Sequence, residues 1–204
     1  MVRTKKINSD PLPTEEKIKE AARKVFLRKG FSATRTRDIA EEAGINLALL
    51  NYYFRSKQKL FDEVMKEKIQ TLLKTIIPVL QDSSTSLDEK IRLIASNYIK
   101  VLAKNNDLPI FVLNELRKNN TSFISNLPVG KAILETSFIL QLKQRKKNVD
   151  PIHFMVSLLG LIIFPFVAKP ILTKSGMISE KKFQSLIQER ELLIPLWMEA
   201  ILNK

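Results

Sequence analysis

Apolar residues near the start of the chain recur at the three- and four-residue steps of an α-helix. The positions that share this face are Ile18, Ala21, Ala22, Val25 and Phe26. The pattern predicts a helix of about four turns. Thr14 is its expected N-cap, and Gly30 is expected to end it in a left-handed conformation.

Two short helices are predicted to follow. One covers about Arg35 to Ala43 and stops at Gly44, and the other runs from about Leu47 to Phe54. Two short helices joined by a glycine-containing turn are typical of a helix-turn-helix, whose second helix can enter the major groove of DNA. The spacing alone also fits an ordinary corner between two helices, so both interpretations stay open at this point.

The next apolar stripe is too long for a small domain. Ser56 is the expected N-cap of a helix that starts at Lys57 and ends at Pro78. Its first half can close the N-terminal core while its second half enters another core. We therefore predict two domains, 1–68 and 69–204, with the boundary inside this helix.

Four further polar residues mark helix starts in the second domain. Ser86 begins a capping box, Asp107 and Asp150 each precede a proline-containing first turn, and Ser179 caps the last helix. A further amphipathic helix is predicted from about Pro128 to Arg145. The count is about nine helices, and the five glycines in 204 residues also favour helices over a turn-rich sheet. The expected fold is all-α, with an N-terminal three-helix helix-turn-helix domain and a larger C-terminal helical domain.

One strongly apolar segment, Phe154 to Ala168, lies within the second domain. It is shorter than the roughly 20 residues that span a bilayer, and it contains Gly160 and Pro165. We interpret it as a buried helix with no membrane role.

The charge balance narrows the classes of partner. The chain has 34 Lys and Arg against 21 Asp and Glu, a net charge of +13, which favours nucleic acid or an acidic membrane surface. The chain has no cysteine, a single histidine and no glycine-rich phosphate loop or nucleophile-base signature. We therefore predict no enzyme, no metal and no cofactor. The polar, basic N-terminus lacks the apolar stretch of a signal peptide, so the expected location is cytoplasmic.

Basic residues favour the DNA interpretation of the helix-turn-helix. They flank the second short helix on both sides, where contacts to phosphates would fix its register: Arg35, Arg37, Arg55, Lys57 and Lys59.

The segment from Gly30 to Val64 resembles the DNA-binding signature of the TetR family of repressors. Its sequence is GFSATRTRDIAEEAGINLALLNYYFRSKQKLFDEV. The shared features are the glycine-aromatic end of the first helix, Asp38-Ile39-Ala40, Ala43-Gly44-Ile45, Tyr53-Phe54 and Ser56-Lys57. The resemblance implies a sequence-specific DNA-binding transcriptional regulator, most often a ligand-responsive repressor that binds a palindromic operator as a homodimer.

The resemblance also implies which residues contact double-stranded DNA. They are Thr36, Arg37, Asn46, Leu47, Ala48, Asn51, Tyr52, Tyr53 and Lys57. The two tyrosines and Lys57 would hold phosphates, whereas Ile39, Ala40, Leu50 and Phe54 would be core. Asn51 stands where the family more often has tyrosine, and an asparagine can pair with an adenine edge. The arm with Arg3, Lys5 and Lys6 is equally compatible with a minor-groove contact and with a tail.

For the C-terminal domain, the resemblance implies dimerisation and binding of a small-molecule effector. The expected dimer residues are Leu158, Leu161, Ile162, Ile194, Trp197 and Ile201, for which burial within one subunit is the alternative. The candidate ligand residues are the aromatic Tyr98, Phe111, Phe123 and Phe138, for which a plain core role is the alternative. Two other hypotheses stay open: an architectural DNA-binding protein whose second domain only dimerises, and an enzyme or membrane-surface protein.

Overall fold

The computed structural model describes residues 13–106, 108–117 and 131–203. These residues form helices joined by short loops and contain no strand, which confirms the all-α prediction. The described helices number ten: α1 (Thr14–Ala33), α2 (Thr36–Ala43), α3 (Leu47–Tyr53), α4 (Lys57–Gln81), α5 (Leu87–Lys104), α6 (Leu108–Arg117), α7 (Lys131–Leu134), α8 (Ser137–Arg145), α9 (Pro151–Lys174) and α10 (Glu180–Asn203). Contacts divide the chain into two compact units between Val64 and Met65, inside α4.

The first helix differs from its prediction at both ends. Its N-cap is Pro13, whose carbonyl accepts a hydrogen bond from Lys17 N at 3.0 Å, so the expected cap at Thr14 is wrong. Thr14 already lies inside the helix because the extended Pro13 precedes it. Gly30 has the expected positive φ of 72°, but its ψ of 168° breaks the helix without forming a left-handed turn. A last short turn, Phe31 to Ala33, continues beyond the break.

Four predicted helix caps are confirmed. Ser56 Oγ accepts from Lys59 N at 3.1 Å and Ser86 Oγ from Glu89 N at 3.3 Å. Asp150 Oδ1 accepts from Ile152 N at 2.7 Å, and Ser179 Oγ accepts from Lys182 N at 3.1 Å. Each cap satisfies a backbone donor that the helix leaves unpaired, and such a cap contributes about 1 kcal/mol.

The core of the first unit lies between α1, α2, α3 and the start of α4. Its completely buried side chains include Ile18, Val25, Ile39, Leu50 and Leu60. The predicted core positions Ile39, Ala40, Leu50 and Phe54 are all buried. The Phe61 ring packs edge-on against Phe26, 5.0 Å between ring centroids, and Phe31 folds back to 4.7 Å from Phe61.

In the second unit, α5 packs against both α9 and α10, and α9 packs against α10. The expected burial of the apolar segment in α9 is only partly met. Phe154, Leu158 and Ile162 are buried, whereas the side chain of Phe164 is 67% exposed. By length and composition α9 could cross a membrane, and 22% of its most apolar window is buried inside the protein. A large apolar face of this helix is therefore not covered by the part of the chain that the structure describes.

A proline inside α9 leaves a carbonyl without its helical partner. Pro165 has no N–H with which to bond the carbonyl of Leu161, four residues earlier. Arg190 of α10 replaces that donor, with Nη2 at 2.7 Å and Nε at 3.2 Å from the Leu161 oxygen. The guanidinium also lies 5.0 Å from the ring centroid of Trp197. This cluster joins α9 to α10.

Candidate DNA-binding interface

The turn between α2 and α3 depends on Gly44. This residue is left-handed, with φ 62° and ψ 39°. Its N–H donates to Glu41 O at 3.0 Å and the next N–H, from Ile45, donates to Ala40 O at 3.0 Å. These bonds close the end of α2 in the manner of a Schellman motif. A Cβ on Gly44 would come no closer than 3.9 Å to another atom, so the backbone angle is the constraint.

The third helix buries a single side chain, that of Leu50. Its other large side chains face solvent: Leu47, Leu49, Tyr52 and Tyr53, of which Tyr52 is 80% exposed. Ala48 and Asn51 are exposed beside them. A short helix that shows so much apolar and aromatic surface presents a face to a partner.

The nine predicted DNA-contact residues lie on α2, at the N-cap and along the length of α3, and at the start of α4. Seven are exposed, and Thr36 and Lys57 are half-buried. Asn46 has a structural role, because its Oδ1 accepts from Leu49 N at 2.8 Å and caps α3. The amide nitrogen of Asn46 takes no part in this cap and can donate to DNA.

Lys57 also has a role that the sequence did not predict. Its Nζ donates to Phe31 O and to Thr34 O, each at 2.9 Å, and lies 4.2 Å from the centroid of the Phe31 ring. Both carbonyls belong to the short turn after the break at Gly30. Lys57 thus fastens the end of α1 to the start of α4, and two of its three ammonium donors are occupied.

Asp38 stabilises the first turn of α2. Its Oδ2 accepts from Arg35 N at 2.9 Å and lies 3.1 Å from Lys29 Nζ. The Arg35 N–H and the Lys29 ammonium lower the pKa of the Asp38 carboxyl. Its negative charge is also favourable at a helix N-terminus.

Other cations near α3 stay unpaired. Arg37, Arg55 and Lys59 are exposed, and none has an ion pair or side-chain hydrogen bond to another residue in the described part of the chain. Exposed cations on both sides of an apolar reading face are the arrangement that DNA phosphates require. Geometry and charge together therefore define a helix-turn-helix interface.

A cavity of about 370 Å³ lies inside the second unit. Helices α4 to α9 all contribute to its lining, which among the described residues consists of Ile69, Leu72, Leu73, Ile76, Ile77, Leu80, Ile94, Tyr98, Leu102, Leu108, Pro109, Val112, Leu113, Ile133, Phe138, Met155, Leu158, Leu159 and Ile163. Two of the predicted ligand residues, Tyr98 and Phe138, line it. Phe111 is buried but does not line the cavity, and Phe123 lies outside the described residues.

The predicted dimer residues separate into two groups. Leu158, Ile162 and Ile194 are buried within the chain, and their place in an interface stays a prediction. Leu161 is half-buried, and Trp197 and Ile201 stay exposed. The large exposed apolar side chains on α9 and α10 are mostly others: Ile152, Val156, Phe164, Ile171, Leu192 and Leu196. Because α9 is apolar on all sides, its sequence could not indicate which side faces inward.

Within the ranges described, no group of three or more His, Cys, Asp or Glu residues could hold a metal ion.

The fold and this interface define a DNA-binding transcriptional regulator of the helix-turn-helix class. Residues 18–64 match the family model of bacterial regulatory proteins, tetR family. The first unit is therefore similar to the DNA-binding part of the TetR family, whose members are transcriptional regulators and not enzymes.

The comparisons extend the likeness beyond the first unit. The chain is 29% identical over 162 residues to YttP of Bacillus subtilis (strain 168), described as a probable HTH-type transcriptional regulator, covering 76% of this chain and 77% of that protein. It is 27% identical to the fatty acid metabolism regulator protein of the same organism, over 53% of this chain and 55% of that one. The crystal structure of the regulator FadR from Bacillus subtilis in complex with stearoyl-CoA has a similar fold, with a TM-score of 0.58 and 18% identity over 88% of this chain and 96% of that chain.

Proposed function

We propose that this protein is a ligand-responsive repressor that binds a palindromic operator as a homodimer, in the cytoplasm. The observation that carries the proposal is α3, which has one buried residue and presents the rest of its surface outward between exposed cations. The reading helices of two subunits would enter successive major grooves about 34 Å apart.

The proposed DNA contacts are of two chemical kinds, those to base edges and those to phosphates. Ala48, Asn51 and Leu47 lie on the exposed part of α3, where an amide can pair with an adenine edge and small apolar groups can meet a thymine methyl. Arg37 and the hydroxyls of Tyr52 and Tyr53 suit phosphates, which position the protein without reading sequence. Thr36, Asn46 and the third donor of Lys57 would add contacts at the edge.

We propose that the dimer forms through the outer faces of α9 and α10. The exposed side chains Val156, Phe164, Leu192 and Leu196 form an apolar surface that the described part of the chain does not cover. A two-fold axis would place these faces against each other in an isologous four-helix contact. Contact with a membrane is the alternative, and Lys169, paired at 3.0 Å with Glu180 within this helix pair, counts against it.

The effector is proposed to be a small apolar molecule in the cavity of the second unit. Its volume of about 370 Å³ lies within the roughly 300–1,000 Å³ of small-molecule sites. The similarity to a fatty acid metabolism regulator, and to a structure bound to stearoyl-CoA, favours a ligand with an acyl chain. A solid second unit would have favoured an architectural DNA-binding protein, and the cavity therefore supports the sensor.

Helix α4 provides the route from effector to DNA. Its second half lines the cavity from Ile69 to Leu80, and its first half contributes Leu60 and Phe61 to the core of the first unit. A ligand that favours one position of α4 would change the spacing of the two reading helices. Effector binding and operator binding are then reciprocally linked.

The first test is selection of bound duplexes from a random DNA pool by the purified protein. We expect enrichment of a two-fold palindrome. Binding without an enriched motif, varying only with salt, would contradict sequence-specific recognition and favour the architectural alternative.

Variants then separate base contacts from phosphate contacts on the selected operator. Asn51→Ala should weaken operator binding by about tenfold and leave binding to a scrambled duplex unchanged. Arg37→Ala should weaken both and lower the salt slope by about one unit. Asn148→Ala and Lys181→Ala, at exposed positions of the second unit, are the matched controls. Equal effects of Asn51→Ala on both duplexes would argue against a base contact.

A further inference from the structure

The lining of the cavity is almost without polar groups. Of its nineteen described lining residues, eighteen are aliphatic, proline, phenylalanine or methionine, and Tyr98 alone carries a side-chain oxygen or nitrogen. No Lys, Arg or His is among them. Among these described residues, a buried carboxylate or phosphate would lose its hydration and find no cation, which costs several kcal/mol.

Tyr98 is therefore the polar group that distinguishes one part of the cavity from the rest. The Tyr98 hydroxyl has no hydrogen-bond partner in the described part of the chain. It is nevertheless not fully buried, because among the described residues Asp88 Oδ1 is the only inaccessible side-chain oxygen or nitrogen without a hydrogen bond. The Tyr98 oxygen thus reaches open space. Since its residue lines the cavity, we take that space to be the cavity itself.

The protonation state of Tyr98 fixes what it can offer. Burial raises the pKa of its phenol above the ordinary value of 10.0. At neutral pH the group is a neutral O–H that can donate one hydrogen bond and accept another. Its natural counterpart is an uncharged acceptor such as a carbonyl oxygen.

We propose that the effector is uncharged where it lies in the cavity, with an apolar body along α4 and one carbonyl-type acceptor bonded to the Tyr98 hydroxyl. Esters, thioesters and ketones satisfy this description, whereas a free fatty acid with its ionised carboxylate inside does not. The lining residues of α4 extend over twelve positions, from Ile69 to Leu80, and the eleven steps between them correspond to about 16 Å of helix. This inference rests on the effector cavity of the proposed function and adds the ligand class and the residue that selects it.

The test measures direct binding of three radiolabelled probes of equal chain length by equilibrium dialysis. The probes are methyl laurate, laurate and dodecane, at pH 8. We expect methyl laurate to bind wild-type protein about tenfold more tightly than either of the others. A neutral hydrogen bond contributes about 0.5–1.5 kcal/mol, so Tyr98→Phe should weaken methyl laurate about two- to tenfold and leave dodecane unchanged. Thr75→Val, which removes an exposed hydroxyl of α4 outside the cavity lining, is the control.

Several results would overturn the proposal. These are unchanged ester binding in Tyr98→Phe, tighter binding of laurate than of methyl laurate, and no binding of any probe. Tyr98→Phe keeps the ring, and circular dichroism with a thermal melt establishes that the variant is folded. A probe that binds as described but leaves operator affinity unchanged would contradict the proposed sensor function while the ligand assignment stands. The two failures are therefore distinguishable.

Discussion

At the residue scale, Lys57 stabilises a backbone that Gly30 has broken. After the break, the Phe31 carbonyl accepts from Thr34 N at 3.3 Å, and the Lys57 ammonium donates to the carbonyls of both Phe31 and Thr34 at 2.9 Å. Thr34 is itself buried, with its Oγ donating to Gly30 O at 2.7 Å. The Lys57 ammonium, at the start of α4, therefore holds the end of α1 in place through these hydrogen bonds.

Lys57→Met should lower the free energy of unfolding by about 2 kcal/mol, because two hydrogen bonds to a charged group are lost at a half-buried site. Urea unfolding followed by circular dichroism measures the change. Lys59→Met, two residues on at an exposed site without an ion pair, is the control and should change stability by less than about 0.5 kcal/mol. Equal effects of the two substitutions would contradict the role of Lys57 as a fastener.

Asp82, just after α4, makes stability depend on acid pH. The hydroxyl of Thr85 and the hydroxyl and N–H of Ser84 donate to its carboxylate and lower its pKa from 3.8 to about 2. A lowered pKa means that the folded state favours the ionised form. The stabilisation is complete above about pH 4 and is lost as the pH falls towards 2.

We expect wild-type protein and Asp82→Asn to differ in unfolding free energy at pH 6 and to converge as the pH falls from about 4 to 2. Urea titrations at several pH values provide the two curves. Because the other carboxylates titrate in both proteins, their contributions cancel when the two curves are subtracted. The difference in unfolding free energy that remains is the contribution of Asp82. A difference that stays constant over this range would contradict the assignment.

At the element scale, local signals predicted the helix starts and tertiary contacts decided the rest. Ser56, Ser86 and Asp150 could be recognised as caps because a cap involves backbone only two or three residues away. The role of Lys57 could not, because its partners lie more than twenty residues away in sequence. The side of α9 that faces the core could not be predicted either, because apolar residues occur all round this helix.

The hydrogen bonds from Arg190 to the Leu161 carbonyl can be tested by replacing Pro165, whose missing N–H leaves that carbonyl without its helical donor. Arg190→Met leaves the Leu161 carbonyl without a donor and should lower the unfolding free energy by about 2 kcal/mol. In a Pro165→Ala background the new N–H of residue 165 can bond that carbonyl, so the same substitution should cost about 1 kcal/mol less. Urea unfolding of the four proteins completes this double-mutant cycle.

The expected sign of the coupling is specific to this explanation. Equal costs of Arg190→Met in the two backgrounds would mean that the guanidinium stabilises α10 through Trp197 alone, 5.0 Å away. Arg92→Met, at an exposed ion pair with Glu89 on α5, is the matched control for loss of an arginine and should cost less than about 1 kcal/mol.

At the scale of the whole molecule, the described residues leave the side chains of a hydrophobic surface on α9 and α10 exposed. Phe164 is 67% and Leu192 75% exposed, on neighbouring helices that pack together. Contiguous apolar surface of this kind marks an interaction site in a soluble protein. The net charge of +13 keeps the protein soluble and attracts DNA, but it does not cover this face.

Phe164→Glu combined with Leu192→Glu should convert the proposed dimer into a monomer. Each substitution appears twice in a two-fold interface, so four carboxylates would be buried without partners and the dimer dissociation constant should rise at least 100-fold. Sedimentation velocity over a range of concentrations measures it. Leu140→Glu, at an exposed apolar residue of α8, is the control and should stay dimeric.

The same variant links association to DNA binding. A monomer keeps the whole helix-turn-helix, so its affinity for a half-site should equal that of wild-type protein, while its affinity for the full palindrome should fall by more than tenfold because the second contact is no longer intramolecular. Fluorescence anisotropy on both duplexes at one salt concentration provides the comparison. Wild-type protein that sediments as a monomer, or that floats with acidic lipid vesicles through this face, would contradict the interface and favour the membrane alternative.

Equal loss of affinity for both duplexes would instead indicate that the substitutions damaged the fold. A thermal melt of the variant distinguishes that case.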